Sequence, residues 1–408
     1  SCAAAPPART TASATITLLP SRTARHLVAP RPDWKAGLKG CRTKGVRTRP
    51  LLFSLLLLGC GQARFEAAAT QVRSRAADER TERYFAGPWP DDRRLVNGLL
   101  STRRFPRPGS GSFIETVLKS GDGLARGWGL TSPLYVPFGG PIDPSTLPAT
   151  PGAARAAEAS VFVINVDPGS PEQGRRHELD FKFFASPTLY LPGNVLALRP
   201  SPGFPLQAKT RYAVVVTTRL KDASGAAVGP EQALWEVLQG QATDPYYAPL
   251  LTVLDAQQLR RQSVAGAFLF TTQPVLDELR RLRDWLEAQP DPPLEALAFK
   301  GASPGFYRFE GTYPAPNLQH GVVPYSTEGG QFVFDGAGNP VPGDVEAMRV
   351  SFCVPTGAPP AKGFPVVFYS HGTGGNFRSG VGDVCEDLAQ VGLVTVGIDQ
   401  VFHGPRAK

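Results

Sequence analysis

Long apolar runs are missing from this sequence, and so is any general excess of positive charge. Its most apolar stretch, residues 51–58, is far too short to cross a bilayer, which takes about 20 residues. The net charge of +8 comes from residues 1–59, which hold ten Lys and Arg but one acid, Asp33. The remainder has 33 basic and 34 acidic residues. It therefore offers no basic field for nucleic acid, and we expect no nucleic-acid partner.

Methionine and cysteine are also scarce. The only methionine is Met348, the first residue is Ser1 and there are 5 cysteines. Because the first residue is not methionine and the chain ends directly after a predicted strand, we interpret it as a piece of a longer protein. What is abundant is Gly (43) and Pro (41), which favours turns and β-structure over a helical bundle. A length of 408 residues leaves room for two or three domains.

The stretch "RTRPLLFSLLLLGCGQ" at 47–62 has a basic flank, a short apolar core and a Gly-Cys end, as a signal peptide does. Its end resembles the lipobox of bacterial lipoproteins. That resemblance implies lipidation of Cys60 after cleavage, and so a membrane as partner. A buried strand with an ordinary cysteine is the alternative. Gly61 is not the Asp that retains enteric lipoproteins at the inner membrane, so we expect the outer membrane or cell surface.

The chain divides by pattern into six segments. We predict a disordered stretch or wrongly assigned start at 1–46, a lipoprotein signal peptide at 47–59 and a tether at 60–95. There follow an Ig-like β-sandwich at 96–230, a helical connector at 231–300 and the N-terminal part of an α/β-hydrolase domain at 301–408.

Short β-type runs separated by Gly, Pro and Asp turns predict the sandwich. They are "SPLYVPF", "SVFVINV", "HELDFKFF", "NVLALRP" and "TRYAVVVTT". The region resembles bacterial Ig-like domains and, more narrowly, the N-terminal part of bacterial virulence-factor lipases, where Tyr212 would be a packing residue. Helical spacing in "PVLDELRRLRDWLEAQ" predicts an amphipathic helix.

The stretch "VVFYSHGTGG … VCEDLAQVGLVTVGID" has a strand, a Gly-rich loop, a helix and a strand. Such a βαβ unit implies a parallel sheet. Together with "VFHGPR" it resembles the α/β-hydrolase family. The predicted fold class is therefore multi-domain: an Ig-like sandwich, a helical connector and the start of a parallel α/β-hydrolase sheet.

The Gly-rich loop is the candidate site. Residues without bulk let peptide N–H groups point at one oxygen, and each such donor is worth about 3 kcal/mol in a transition state. By resemblance, the donors to a tetrahedral oxyanion are the N–H groups of Thr373 and Gly374, while His371 and Gly372 support the loop. A plain strand-to-helix turn is the alternative interpretation.

The only G-x-S-x-G match is "GASPG", 301–305, and we reject Ser303 as a nucleophile. The next residue, Pro304, has no N–H to contribute to an oxyanion hole, and a strand-like run rather than a helix follows. We expect the nucleophilic serine and its His and Asp partners beyond residue 408. By resemblance, Asp399 and His403 shape the loop after the second strand of this unit, and a catalytic role for either is the alternative.

Other chemistry is weakly indicated. Asp335, Asn339 and Asp344 miss the spacing of an EF-hand loop, and turn chemistry explains them. Cys353 and Cys385 are either bonded or two buried thiols, because export permits a disulfide. No cofactor or metal is implied, and the oligomeric state is left open.

These features predict an exported, lipid-anchored serine hydrolase acting on a lipid or small carboxylic ester through an acyl-enzyme. The 408 residues alone are expected to be inactive. The alternatives are a non-catalytic surface binding lipoprotein, and a peptidase or polyester depolymerase.

Overall fold

The computed structural model describes residues 63–75, 81–107, 111–323, 325 and 328–407. The predicted disordered start, signal peptide and Cys60 lie outside these residues. Helices are short: α1 (Ser112–Gly121), α2 (Gln232–Leu238), α3 (Ala248–Ala256), α4 (Asp277–Glu287), α5 (Ser379–Asp383) and α6 (Cys385–Gln390). Within the described ranges, no helix has the length and apolar character needed to cross a membrane.

Strands make up most of the regular structure. They are β1 (Gln71–Val72), β2 (Leu95–Val96), β3 (Leu99–Leu100), β4 (Leu134–Pro137), β5 (Val161–Asn165), β6 (Leu179–Phe184), β7 (Val195–Pro200), β8 (Arg211–Thr217), β9 (Gly229–Pro230), β10 (Val264–Thr271), β11 (Glu295–Ser303), β12 (Phe306–Pro316), β13 (Gln319–Gly321), β14 (Gly329–Phe332), β15 (Val345–Pro355), β16 (Val366–Tyr369) and β17 (Val394–Ile398).

The N-terminal region has three layers. Antiparallel sheets in the orders β10-β8-β5 and β4-β7-β6 share one core, to which Val214 and Phe268 contribute from one sheet and Leu198 from the other. Alternate residues of β10-β8-β5, such as Val215, instead pack against α2 and α3. The middle sheet is therefore buried on both faces, which explains why β5 is buried at all five positions.

Tyr212 lies at the centre of this core and is fully buried. Its hydroxyl accepts a hydrogen bond from the Gln207 N–H at 3.0 Å, and its ring stacks on Phe270. Burial raises the pKa of Tyr212 to about 12, so the phenol stays neutral. The packing role that the sequence suggested for Tyr212 is thus the one its contacts support.

The chain around 70–95, which we interpreted as part of a tether, packs on the N-terminal region. Strand β1 pairs with β9 in parallel, and Val72 is 1% exposed. Asp91 is fully buried and accepts hydrogen bonds from the Arg93 guanidinium. The Tyr246 hydroxyl also donates to Asp91, at 3.1 Å. Ordered structure therefore begins well before the first predicted strand.

The C-terminal region is one sheet in the order β11-β12-β15-β17-β16. The pairs β11/β12, β12/β15 and β15/β17 are antiparallel, and β16/β17 is parallel. Helices α5 and α6 connect β16 to β17, and α6 packs on one face through Cys385 and Ala389. The opposite face carries exposed apolar side chains, among them Phe368 at 57% and Phe299 at 59%.

The predicted fold class is wrong. The chain is built mostly of small sheets with few helices, and no sheet of the described residues is a parallel α/β-hydrolase sheet. The crossover between β16 and β17 is local. The strands before it follow one another through turns and loops that reverse the chain, and strands joined in that way pair antiparallel. Nor is the first part a plain two-layer sandwich with a connector behind it, because α2 and α3 form its third layer.

The individual strands and helices were predicted more accurately than the way in which they assemble. The five predicted strands of the sandwich are present as β4 to β8, and "FYRFEGTY" is the start of β12. The predicted amphipathic helix is present as α4, but most of its apolar stripe is not buried: Leu282 is 6% exposed, whereas Leu279 and Leu286 are 56% and 43% exposed. The six segment boundaries stay a prediction.

Candidate functional site

The Gly-rich loop leaves the end of β16 at the edge of the C-terminal sheet and leads into α5. Residues 372–374 are exposed, whereas His371 and Phe377 at its two ends are 6% and 4% exposed. The loop is thus a short exposed arc held at two buried points. The first point is held by residues after β17, and the second by side chains from β15, from the end of β17 and from the start of α5.

His371 forms the first buried point. The Gln400 N–H donates to its Nε2 at 3.3 Å, and its Nδ1 lies 3.1 Å from the Gly372 carbonyl oxygen. Because Nε2 accepts, the proton sits on Nδ1, which donates to that carbonyl. The ring also packs edge-on against His403, with centroids 4.6 Å apart. These contacts hold His371 against the loop and the residues after β17, and the supporting role that the resemblance implies for it stays a prediction.

The turn between the two points depends on glycine. The Gly375 N–H donates to the Gly372 carbonyl oxygen at 3.0 Å, which closes a four-residue β-turn. Gly374 has φ +82°, a left-handed conformation that glycine adopts without strain. A Cβ on Gly375 would lie 2.8 Å from the His371 ring. The residue types at these positions are therefore required by the turn itself.

The N–H groups of Thr373 and Gly374 are the chemically useful feature of the turn. Among the described residues, neither N–H donates a hydrogen bond within the protein, and both residues are exposed. Two adjacent free donors on a fixed turn can bind one oxygen that carries negative charge. Such a turn can hold the oxyanion of an acyl-transfer intermediate or a small anion.

Phe377 forms the second buried point. Its N–H donates to Asp399 at 3.2 Å, and its carbonyl oxygen accepts a hydrogen bond from the Ser351 hydroxyl. Its ring lies under two guanidinium groups, those of Arg349 at 4.3 Å and Arg378 at 4.8 Å. These four contacts hold the C-terminal end of the loop at Phe377.

Two ion pairs secure these contacts. Asp399, 1% exposed, receives two hydrogen bonds from Arg349 at 2.7 and 3.1 Å. Glu310 receives two from Arg378 at 2.6 and 2.9 Å, and these hydrogen bonds hold the pKa of Glu310 below its ordinary value. Asp399 is therefore a structural partner of the Gly-rich loop, whereas the shaping of the loop after β17 that the resemblance implied for it stays a prediction.

A disulfide joins Cys353 of β15 to Cys385 of α6, with Cα atoms 5.9 Å apart. The question left open by the sequence is thus answered in favour of the bond. Arg349, Ser351 and the disulfide partners were not foreseen around the loop. They lie on β15 and α6, and no sequence spacing marks a β15 residue as a neighbour of a loop that follows β16.

No nucleophile and base are brought together in the part of the chain that the structure describes. Ser303 ends β11 opposite Phe306, in a hairpin rather than at a strand-to-helix elbow. The Ser370 hydroxyl is bonded to the Gln400 amide. No serine hydroxyl in the described ranges is hydrogen-bonded to a histidine, and these ranges hold no metal-binding cluster of three or more His, Cys, Asp or Glu.

Comparisons with known proteins add little. No family model matches the chain, and no curated protein matches it. Two solved structures were found, "surface layer protein SbsC, domains 1-6" at 12% identity and TM-score 0.19, and "the N-terminal part of the bacterial S-layer protein SbsC" at 13% and 0.18. Each match covers 56% of this chain, and 22% and 39% of those chains respectively. Likenesses this slight carry no argument about fold or function.

Proposed function

We propose that this chain is part of an exported, lipid-anchored serine hydrolase that cleaves a lipid or small carboxylic ester. The observation that carries the proposal is the fixed turn with the free N–H groups of Thr373 and Gly374. In an acyl-transfer reaction these donors would hold the oxyanion while a serine attacks and a histidine moves the proton. The serine, histidine and acid of that reaction must lie outside the described residues.

The segment 47–60 supports the proposed location at the outer membrane or cell surface. A basic flank, a short apolar core and the Gly59-Cys60 end favour export and lipidation of Cys60, with the protein at the outer membrane or cell surface. The disulfide between Cys353 and Cys385 fits an oxidising compartment. Replacing Cys60 with Ser should abolish incorporation of labelled fatty acid, and equal labelling of both proteins would overturn the anchor.

A non-catalytic surface binding protein is the second candidate. One observation favours it: the described residues hold no serine bonded to a histidine. In that case the turn would bind an anionic group of a ligand without any reaction. A peptidase or polyester depolymerase would use the same two donors, so the acyl group and leaving group are left to experiment.

The decisive experiment uses the protein expressed from its complete gene, with p-nitrophenyl esters as substrates. Thr373→Pro removes one N–H donor and should lower kcat by about 10²–10³-fold. Thr373→Ser keeps the N–H and is the matched control, with turnover close to that of the parent. Circular dichroism and thermal melting must first show that the proline variant is folded.

Each outcome has a distinct meaning. Normal turnover in a folded proline variant would show that Thr373 is not the donor. Absence of both ester turnover and fluorophosphonate labelling in the parent would favour the binding protein. Labelling of Ser303 or Ser370 would show that the nucleophile lies among the described residues, contrary to our expectation.

A further inference from the structure

We propose that the anchored protein lies against the phospholipid bilayer through one particular face, the anchor face, formed by residues 63–65 and α2. This inference rests on the proposed lipidation of Cys60. It adds which surface meets the lipid, and it predicts a fixed orientation instead of a body that swings freely on a tether.

The first described residues are already docked on the folded body. The Ala63 carbonyl oxygen accepts a hydrogen bond from the Gln241 side chain at 2.9 Å. The Phe65 ring packs edge-on against Trp235 of α2, with centroids 5.6 Å apart. A few residues later β1 pairs with β9. The chain is therefore held to the body from Ala63 onward.

Very little chain separates this docking point from the proposed anchor. Only Gly61 and Gln62 lie between Cys60 and Ala63. Even fully extended, three residue steps span at most about 11 Å. The acyl chains on a lipidated cysteine lie in the hydrocarbon of the bilayer, which places the cysteine at the interface. Ala63 must then lie within about 11 Å of that interface.

The layers of the N-terminal region determine which surfaces lie near the bilayer and which lie far from it. Helix α2 covers one face of the sheet β10-β8-β5, and the sheet β4-β7-β6 covers the other face. Packed layers are spaced by about 10 Å. The outer surface of β6 thus lies about 20 Å farther from the bilayer than α2 when α2 faces the lipid.

The anchor face carries groups suited to a phospholipid surface. Arg64, Arg73 and Arg75 are exposed beside the docked segment. Arg73 pairs with Glu231, the residue that precedes α2, at 3.3 Å and keeps 45% of its side chain exposed. Guanidinium groups form strong hydrogen bonds to phosphate oxygens. Glu66, Glu231 and Glu236 lie on or next to the same segment and helix and balance these arginines, so the lipid surface is assigned as partner by the short link to Cys60, and the guanidinium groups add contacts to phosphate.

The test places one fluorophore on each side of the body. Ala233 is exposed on α2, and Lys182 is exposed on β6, where it points away from the shared core that Phe181 and Phe183 contact. Ala233→Cys and Lys182→Cys are labelled in the lipidated protein, whose other described cysteines are bonded to each other. The proteins are reconstituted into phosphatidylglycerol vesicles that contain a headgroup quencher.

We expect strong quenching of the label at 233 and little at 182. Insertion of about 25 Gly and Ser residues after Gly61 adds a root-mean-square reach of roughly 28 Å and should make the two signals alike. Equal quenching at the native spacing, on a chain that mass spectrometry shows to be lipidated, would overturn the proposed orientation alone. A chain without lipid on Cys60 would overturn both the anchor and this inference.

Discussion

Two strands with nearly the same apolar composition have opposite environments in the two regions of this molecule. All five residues of β5, "VFVIN", are buried, whereas none of the four residues of β16, "VVFY", is fully buried. Strand β5 lies in a middle layer with a sheet on one side and helices on the other. Strand β16 lies at a sheet edge with helices on one side only.

Because the two strands have similar composition, the difference in the burial of their side chains comes from the number of layers packed against each sheet. In the N-terminal region, apolar burial on both faces of the middle sheet provides most of the stability. In the C-terminal region, one face is covered and the sheet depends more on a disulfide and on ion pairs around Phe377. Contiguous exposed apolar patches are typical of surfaces that contact another surface, and the first prediction below tests whether this face is covered in solution.

The largest expected effect compares two phenylalanines. Phe268 in the shared core is 1% exposed, and Phe368 on the uncovered face is 57% exposed. Phe268→Ala should lower the free energy of unfolding by about 3–5 kcal/mol, and Phe368→Ala should change it by less than about 0.5 kcal/mol. Urea denaturation measures both. Similar losses would show that the face carrying Phe368 is covered in solution.

The disulfide should account for the next largest effect. Cys353 and Cys385 are 32 residues apart, and closing a loop of that size is worth about 3–4 kcal/mol through the unfolded chain. A Cys353→Ala/Cys385→Ala variant should therefore unfold at lower urea, with the loss detected by probes in the C-terminal region. The parent protein treated with a reductant is the control, and an unchanged midpoint in both would contradict the prediction.

Removing the charge from two carboxylates of the C-terminal region, Asp399 and Glu310, should lower the free energy of unfolding by different amounts. Asp399 is buried and bonded to Arg349 and to the Phe377 N–H, so Asp399→Asn should cost about 1.5–3 kcal/mol. Glu310 pairs with Arg378, whose side chain is 61% exposed, so Glu310→Gln should cost about 1 kcal/mol or less. Thermal melting of the two variants side by side tests the order, and a reversed order would place the main support of the loop at Glu310.

The smallest effect is a pH dependence in the N-terminal region. His177 is 3% exposed, and burial lowers its pKa below the ordinary 6.5. The unfolded chain therefore takes up a proton before the folded one does, so stability should fall as the pH drops below about 6.5. His177→Phe keeps the ring that packs on Tyr212 and should flatten this dependence between pH 7 and pH 5. An unchanged slope would assign the effect to other groups.

Local structure was predictable from the sequence because it depends on nearby residues. Turn residues bounded the strands β4 to β8, and helical spacing indicated α4. Pro304 and the strand-like run after it argued against Ser303, which lies in the β11–β12 hairpin. The loop around Thr373 was located for the same reason, since its glycines serve a local turn.

The assembly was not predictable, because it depends on residues far apart in the chain. The βαβ pattern of 366–398 correctly indicates one parallel pair of strands, β16 and β17, but it contains no information about the other strands of the sheet, which pair antiparallel. The pairing of Arg349 with Asp399 links residues 50 positions apart, and nothing in the spacing announces it. One signal could have been used: the unbroken apolar runs of β5, β8 and β10 indicate strands buried on both faces, and hence a third layer.

The pairing of β1 with β9 has a consequence for how the chain is made. Arg73, next to β1, meets its partner Glu231 across 158 positions of sequence. At synthesis rates of about 5–20 residues per second, β1 waits roughly 8–30 s for its partner. During that delay Val72 and its neighbours have no place to be buried. Under the export that we propose for this protein, machinery that holds the early chain unfolded and releases it late would suit this order of assembly.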